Sequence, residues 1–551
     1  MLLKLFDLPA AREYYRQGAW ADETLYGALA RHVARRPDAP ALRDARLRLS
    51  WRQLHERVDA LARSLHLAGL RRGDRVAVWL PSRVEGVVAM LACSRNGYVC
   101  CPSLHQNYTV AEIGLLLERS RASALIMQPG YGADARSADV VARASALPGI
   151  RAIYAVGGHD ARVQPFPEPS AEETSQAFVA PDTDPDKIVY LAFTSGTTGT
   201  PKGVMHSDNT LLANGRAMVR DWHHDHRTVL LSLSPLSHHI GTVAIEQQMA
   251  AGFELVVNDP PPGMKPIDWI VESGATYVMG VPTHAIDILA EAKRRQWNAL
   301  GAVKLFYMAG SPIPREVAQT FLSMGITPQN IYGMTENGSH QYTLPDDDAL
   351  TIVETCGRAA AGFECAIFDA ENPDKRLPAG HVGEIATRGA LLMLGYFDNQ
   401  AATEDSFNGE GWFLSGDLGT LDERGCLRFV GRKKDLIIRG GHNIHPAHIE
   451  DLAHRHRAVL KAAAFGVPDE RLGEKVCLSV VLRPGERIDA AQLLAHLHET
   501  GLSKYDMPEY FIELDAFPLT ASGKILKREL IEWVRSGRIA PVPVRWTAPA
   551  A

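Results

Sequence analysis

Ten consecutive residues carry the densest chemistry in the chain: Thr194-Ser195-Gly196-Thr197-Thr198-Gly199-Thr200-Pro201-Lys202-Gly203. Glycines let a loop turn tightly and bring backbone N–H groups close to a ligand. Successive N–H groups in such a turn make an anion-binding concavity. Thr194, Ser195, Thr197 and Thr198 add hydroxyl donors, and Lys202 adds a mobile cation. The combination suits a polyphosphate. It is not the ordinary P-loop, in which Gly-Lys-Ser/Thr opens a helix; Lys202 leads into Val204-Met205, which reads as extended. The competing interpretation is an inert Gly/Thr-rich turn between strands.

A second constellation, Asn330-Ile331-Tyr332-Gly333-Met334-Thr335-Glu336, places an aromatic ring, a hydroxyl and a carboxylate close together. A ring can stack on adenine, and a carboxylate is a hard oxygen ligand for Mg²⁺ on ATP. Alone, the same residues describe a strand end with a surface glutamate. Ser415-Gly416-Asp417 is either a β-turn or an acidic group for ribose hydroxyls. His238 follows Pro235-Leu236-Ser237 at the carboxyl end of a predicted strand, where ligands of open α/β sheets sit. Trp222-His223-His224-Asp225-His226 reads as a polar loop rather than a metal site, and the five histidines from His442 to His456 do not converge and read as surface.

The elements that must position these groups follow from periodicity. Leu25, Leu29, Val33, Leu54, Val58, Leu61 and Leu65 recur at helical spacing, with Ser50 as a cap for the second helix. Short apolar runs at 75–80, 124–126, 152–154, 188–193, 229–233, 255–257, 277–281 and 305–311 alternate with helical stretches. That alternation predicts an α/β fold of parallel sheets covered by helices. From about residue 351 to 432, close-spaced short strands predict a small antiparallel barrel or sheet. The last ~115 residues read as a compact α+β module of small-domain size, with a helix at 446–457, strands at 462–467 and 476–482, a helix at 489–499 and a strand at 511–514.

Bulk properties narrow the class. The 551 residues carry a net charge of −6, so no basic field argues for nucleic acid. No apolar run approaches the ~20 residues of a membrane helix, and the N-terminus reaches charge too soon for a signal peptide. Seven cysteines without Cys-x-x-Cys give neither a disulfide framework nor a zinc site, and a cytoplasmic location is expected.

The Thr194–Gly203 run resembles the phosphate-binding signature of the adenylate-forming superfamily, which includes acyl-CoA synthetases. Tyr332–Glu336, Ser415–Gly419, Gly431–Pro446 and Pro518–Leu530 resemble further motifs of that superfamily in the expected order, over at least residues 48–530. The resemblance implies an adenylation domain at 1–432 made of two doubly wound sheets and a small β-barrel. It implies a mobile C-terminal lid at 433–551 that carries the catalytic lysine. ATP, Mg²⁺ and coenzyme A are the implied cofactors. By the same resemblance Thr194, Ser195, Gly196, Thr197, Thr198 and Lys202 hold phosphates, Gly310, Ser311, Asn330, Tyr332 and Gly333 meet the adenine, and Thr335 lies at the α-phosphate. Glu336 holds Mg²⁺, Asp417 and Arg432 take the ribose side, and Lys524 is catalytic. His238, Thr335 and Lys524 form the catalytic group, while His238, His239, Val281, Met308, Gly333, Met334 and Gly338 are the acyl-pocket candidates. Lys434 matches the hinge, and Gly440 and Gly441 match the turn beside a pantetheine tunnel.

The expected activity is therefore ATP-dependent activation of a carboxylic acid as acyl-AMP, followed by transfer to a thiol. With no carrier domain after residue 551, coenzyme A is the expected acceptor. The residues at 14–20 resemble the opening of cyclohexanecarboxylate-type CoA ligases, so an alicyclic, aromatic or medium-chain acid is expected. Two alternatives stay open: an aryl-acid enzyme loading a carrier-protein thiol, and an inactive acyl- or nucleotide-binding protein. Oligomeric state is left open, a homodimer included.

Overall fold

The β-branched and aromatic run Ile188–Thr194 forms a strand, and Lys202–Ser207 returns antiparallel beside it, with Thr194 opposite Lys202. In this computed structural model, residues 4–158, 160–170, 178–194, 201–310, 313–519 and 525–546 are described. The hairpin closes one flank of a seven-stranded sheet. Its order, by residue number, is 164–165, 152–155, 122–127, 75–79, 99–101, 188–194, 202–207, and only the last pair is antiparallel.

A nine-stranded sheet runs in the order 358–359, 338–342, 327–334, 305–308, 277–280, 229–232, 254–257, 40–43, 48–50. Its centre is parallel, and the strands at both edges turn back antiparallel. Side chains alternate faces along a strand, and the burial follows that rule. Leu230, Tyr277, Leu305 and Tyr307 share one core with Val76, Val78, Ile126 and Tyr190 of the other sheet and with the helices between them. Leu231, Val278, Phe306 and Met308 pack on the opposite face, under helices Pro266–Ser273, Pro282–Arg294 and Arg315–Ser323. The outer face of the seven-stranded sheet is covered by Val110–Ser120 and Val140–Ser145. The architecture is the helix-covered parallel sheets that the alternation predicts, arranged as the two doubly wound sheets that the resemblance implies.

Between the sheets, helix Asp208–Asp221 starts at a Ser207–Thr210 capping box and lies against helix His239–Ala251. Gly215 makes that approach possible. A Cβ there would sit 2.4 Å from the Glu246 carbonyl oxygen, closer than packing allows. Ser50 caps Trp51–Leu67 through a box with Gln53, as its position predicts.

Strands Phe363–Phe368, Gly383–Gly389, Phe413–Leu421 and Leu427–Arg432 form the small antiparallel unit. After a short 3₁₀ turn at Lys433–Asp435, a last sheet gathers Ile437–Arg439, His442–Ile444, Val459–Asp469, Gly473–Leu482, Tyr510–Glu513 and Val542–Pro543 around its own core. Helices Pro446–His454 and Ala490–Glu499 match the predicted ones within a few residues. Helix Leu8–Gln17, which no apolar periodicity announces, opens with Asp7 as its cap. No described helix is long and apolar enough to cross a membrane.

Candidate active site

Lys202 emerges from the hairpin end with its ammonium 4.6 Å from the centre of the Tyr396 ring. The Tyr396 hydroxyl in turn donates to Glu336 Oε1 at 3.1 Å. The ring thus stands between a cation and a carboxylate. Backbone pairing puts it there: Leu394 N donates to the Met205 carbonyl at 2.8 Å, Met205 N to the Gly395 carbonyl at 3.1 Å, and Phe397 N to the Gly203 carbonyl at 2.7 Å. Burial pushes the Glu336 carboxyl above the ordinary carboxylate range, and Lys202 works against that shift. Among the described residues no group of three or more His, Cys, Asp or Glu could hold a metal alone. A lone hard carboxylate beside Lys202 fits Mg²⁺ only if phosphate oxygens of a ligand supply the remaining positions.

Strand Thr327–Met334 carries Asn330 and Tyr332 and leads toward Glu336. The Tyr332 hydroxyl donates to Asp417 Oδ2 at 3.0 Å, and Arg432 Nε lies 3.5 Å from Asp417 Oδ1. Asp417 and Arg432 face one another across adjacent strands. The Asn330 amide nitrogen reaches the Ile352 carbonyl at 3.5 Å, which turns its oxygen into the acceptor left for an amine. Gly333 and Gly338 lie across the tight hairpin between Thr327–Met334 and Gly338–Tyr342, and Met334 N donates to Asn337 Oδ1 at 3.0 Å. Gly310 ends the strand Leu305–Met308.

His206 and His239 stack at 5.6 Å with an 18° interplanar angle. His206 Nε2 donates to the Thr335 carbonyl at 2.7 Å, and its Nδ1 lies 3.0 Å from the Thr210 hydroxyl. His239 Nδ1 shares a hydrogen bond of 3.2 Å with the Tyr190 hydroxyl. Burial holds His206 down at about 4 and His239 well below its ordinary value, so both rings stay neutral. His238 is the N-cap of helix His239–Ala251, its Nδ1 accepting from Ile240 N at 3.3 Å. Val281 is the N-cap residue of helix Pro282–Arg294.

The structure does not bring Met308 into this group. Register places it on the far face of the sheet beside Phe306 and Val317, while Tyr307 faces the helices between the sheets. A small cavity under Ser237 is lined by Val78, Leu80, Met90, Cys100, Thr242 and Ile245, none of them a predicted pocket residue. His224, in the histidine loop, is buried and stacks on Tyr277 at 4.6 Å, a packing role.

Gly440 and Gly441 make a two-residue hairpin turn with φ of 58° and 84°, values that favour glycine at both positions. Arg439 grips Glu509 through two bonds of 2.9 and 2.8 Å beside it. Lys434 lies in the 3₁₀ turn, next to Lys433, whose ammonium donates to the buried Glu384 at 2.8 Å. Ser195, Gly196, Thr197, Thr198, Ser311 and Lys524 lie outside the described residues. The ends of the lysine loop are described: Leu519 bridges Ile525, and Leu526 N donates to the Pro518 carbonyl at 2.8 Å.

Three positioning residues escaped the sequence reasoning. Tyr396 carried a weak signal, an aromatic pair flanked by glycine in Leu394-Gly395-Tyr396-Phe397. His206 had none beyond its place after the glycine loop. Glu384 holds both Lys433 and the Gly416 N–H, the latter at 3.0 Å, and so ties the Ser415–Asp417 turn to the connector.

The sequence model of the AMP-binding enzyme family matches residues 29–397, and that of the AMP-binding enzyme C-terminal domain matches 448–524. The chain is 31% identical over 525 residues to the medium-chain fatty-acid–CoA ligase of Escherichia coli K12, covering 93% of this chain and 91% of that one. It is 31% identical over 535 residues to the 2-hydroxy-7-methoxy-5-methyl-1-naphthoate–CoA ligase of Streptomyces carzinostaticus, covering 94% and 95%. The structure of ATP-bound MatB from Rhodopseudomonas palustris superposes with a TM-score of 0.81 at 28% identity, covering 93% of this chain and all of that one. The chain belongs to the AMP-binding enzyme family, in the acyl-CoA synthetase branch of the adenylate-forming superfamily, and is of the AMP-forming acid–thiol ligase class.

Proposed function

We propose that this chain couples a mainly apolar carboxylic acid to coenzyme A at the expense of ATP, in two half-reactions. The observation that carries the proposal is the convergence of Lys202, Tyr396 and Glu336 at the mouth of the Thr194 hairpin. Tyr332, on the strand that leads to Glu336, is bonded to Asp417. A cation and a carboxylate at one end, and an aromatic with a ribose-type acceptor at the other, match the two ends of a nucleoside triphosphate.

In the first half-reaction a carboxylate oxygen of the acid attacks the α-phosphorus. The bond from that phosphorus to the bridging oxygen of the β-phosphate breaks, and pyrophosphate leaves. Lys202 and the Thr194–Thr198 segment hold the β- and γ-phosphates, Thr335 lies at the α-phosphate, and Asn330, Tyr332, Asp417 and Arg432 orient the nucleoside. Glu336 would hold Mg²⁺, which neutralises phosphate charge when bound. Lys524 bridges the acid carboxylate and the α-phosphate as negative charge moves between them. Little covalent work falls to the protein, so positioning and charge neutralisation dominate.

In the second half-reaction the coenzyme A sulfur attacks the acyl carbon, its proton passes to solvent, and AMP leaves. The 433–551 unit turns about Lys434 between the two steps, withdrawing Lys524 and presenting the Gly440–Gly441 turn to the thiol. The apolar cavity beside helix His239–Ala251 suits hydrocarbon. Relatives named for medium-chain fatty acids and a substituted naphthoate bracket the expected range, from medium-chain to alicyclic or aromatic acids.

A panel of acids in a pyrophosphate-release assay, with and without coenzyme A, tests the proposal. Release that needs an acid, and thioester that needs coenzyme A, are expected. Lys524→Ala should abolish adenylation yet leave thioester formation from supplied acyl-AMP largely intact. Equal loss of both half-reactions would contradict the two-step assignment of the lid.

A further inference from the structure

Helix His239–Ala251 carries His239 at its start and Glu246 seven residues on. Seven residues are about two turns, so both side chains share one face, roughly 10 Å apart along the axis. His239 stacks on His206, which is bonded to the Thr335 carbonyl, so this face descends from the acyl end of the candidate site. Thr242, one turn from each on that face, lines the small apolar cavity.

Glu246 is 1% exposed, and neither carboxyl oxygen has a hydrogen-bond partner among the described residues. Leaving a buried carboxyl unpaired costs on the order of 1–3 kcal/mol or more. Its surroundings are polar as well. The Tyr190 and Tyr307 phenols are both close enough to feel its charge. Tyr307 shares a 2.8 Å bond with the Ser339 hydroxyl, and Ser339 N donates to Asn214 Oδ1 at 2.9 Å. Burial pushes the Glu246 carboxyl well above the ordinary range and so favours its protonated form, which both donates and accepts. Among the described residues no hydrogen bond uses this group, and an apolar residue would pack there at lower cost.

We propose that Glu246 is a specificity residue at the floor of the acyl site, and that the acid this chain takes carries a hydroxyl or keto oxygen at the end remote from its carboxylate. The inference rests on the acid-activating function above and deepens it: the hydrocarbon body is held by the apolar walls, and the remote oxygen is read by Glu246 with Tyr307 beside it. An unsubstituted acid leaves the carboxyl unpaired in the complex. Discrimination of that kind, against an analogue lacking the bonded group, is stronger than a hydrophobic pocket achieves by size.

The test is pyrophosphate release by the full chain with cyclohexanecarboxylate, its 4-hydroxy and 4-oxo derivatives, octanoate and 8-hydroxyoctanoate. In the wild type, kcat/KM for the oxygenated member of each series should exceed that of its parent by roughly 10- to 100-fold. Glu246→Leu should remove or invert the preference, and the isosteric Glu246→Gln should retain most of it. A wild type that prefers the unsubstituted acids, or a Glu246→Leu variant with an unchanged ratio, would overturn the proposal; the latter would show that the carboxyl holds only a buried water. ATP binding with no release for any acid, octanoate included, would instead end the acid-activating function, and this inference with it.

Discussion

The two ends of the candidate nucleotide site treat charge in opposite ways. At the candidate nucleoside end Asp417 is already satisfied: Tyr332, from the nine-stranded sheet, donates to one oxygen, and Arg432, on the strand paired with that of Asp417, stands at the other. At the phosphate end Lys202 and Glu336 are held apart by the Tyr396 ring, and each keeps its charge directed to what will lie between them. The first end is assembled in advance, so a ligand exchanges bonds there. The second gains most of its electrostatic pairing only when a polyphosphate and its metal arrive. Binding strength should therefore reside at the first end and rate at the second.

The sharpest way to break that contrast is Glu336→Gln. It keeps shape and the Tyr396 bond but removes the charge proposed above to hold Mg²⁺. The rate of pyrophosphate release should fall by about 10²–10³-fold, with a much smaller change in ATP affinity measured by calorimetry. Asp417→Asn should do the reverse. Loss of a charged acceptor bonded to two partners, worth roughly 2–3 kcal/mol, should raise the KM for ATP by tens of fold and lower kcat only slightly.

Acid should act on Glu336, whose carboxyl burial holds above the ordinary range, and also on the seam behind both ends. His206 is held at about 4, against an ordinary value of 6.5. A histidine whose pKa is depressed by folding binds its proton more readily in the unfolded chain. Its contribution is therefore complete above about pH 6.5 and is lost as pH falls from there toward 4, by about 2 kcal/mol at pH 5. Urea unfolding at pH 7.5 and pH 5 should show this loss, and His206→Gln should show a shallower pH dependence than the wild type. A weaker effect is expected from Tyr396→Phe. The ring still faces Lys202 and only the bond to Glu336 goes, so kcat should fall about 3- to 10-fold. In a Glu336→Ala background the same change should have almost no effect.

How far these features were legible in the sequence depends on the range of the interaction that makes them. The hairpin flanking the glycine loop, the strand carrying Tyr332 and the capped helices are local patterns, and they stand where periodicity and turn chemistry place them. The Asp417 turn was legible as a turn, but its bond to Tyr332 joins residues 85 positions apart. Tyr396 reaches Glu336 and Lys202 only through backbone pairing of distant segments, which no local pattern encodes. Met308 shows a different limit. Strand parity decides which face a residue serves, and the apolar run Leu305-Phe306-Tyr307-Met308 is buried on both faces, so hydrophobicity carries no parity signal. In the sequence Glu246 is one polar residue among several, beside Gln247 and Gln248. Only the packing of two helices through Gly215 and the layer of tyrosines around it make its isolation visible.

Strand Lys202–Ser207 ends the order of its sheet, and the segment from Leu394 to Phe397 lies along it. An uncovered terminal strand invites pairing with other chains, so the stretch that delivers the Tyr396 ring also shields this flank from aggregation. Any fragment cut short of Phe397 would lose catalytic furniture and solubility together. During synthesis the Lys202 end can mature only after some two hundred further residues have emerged.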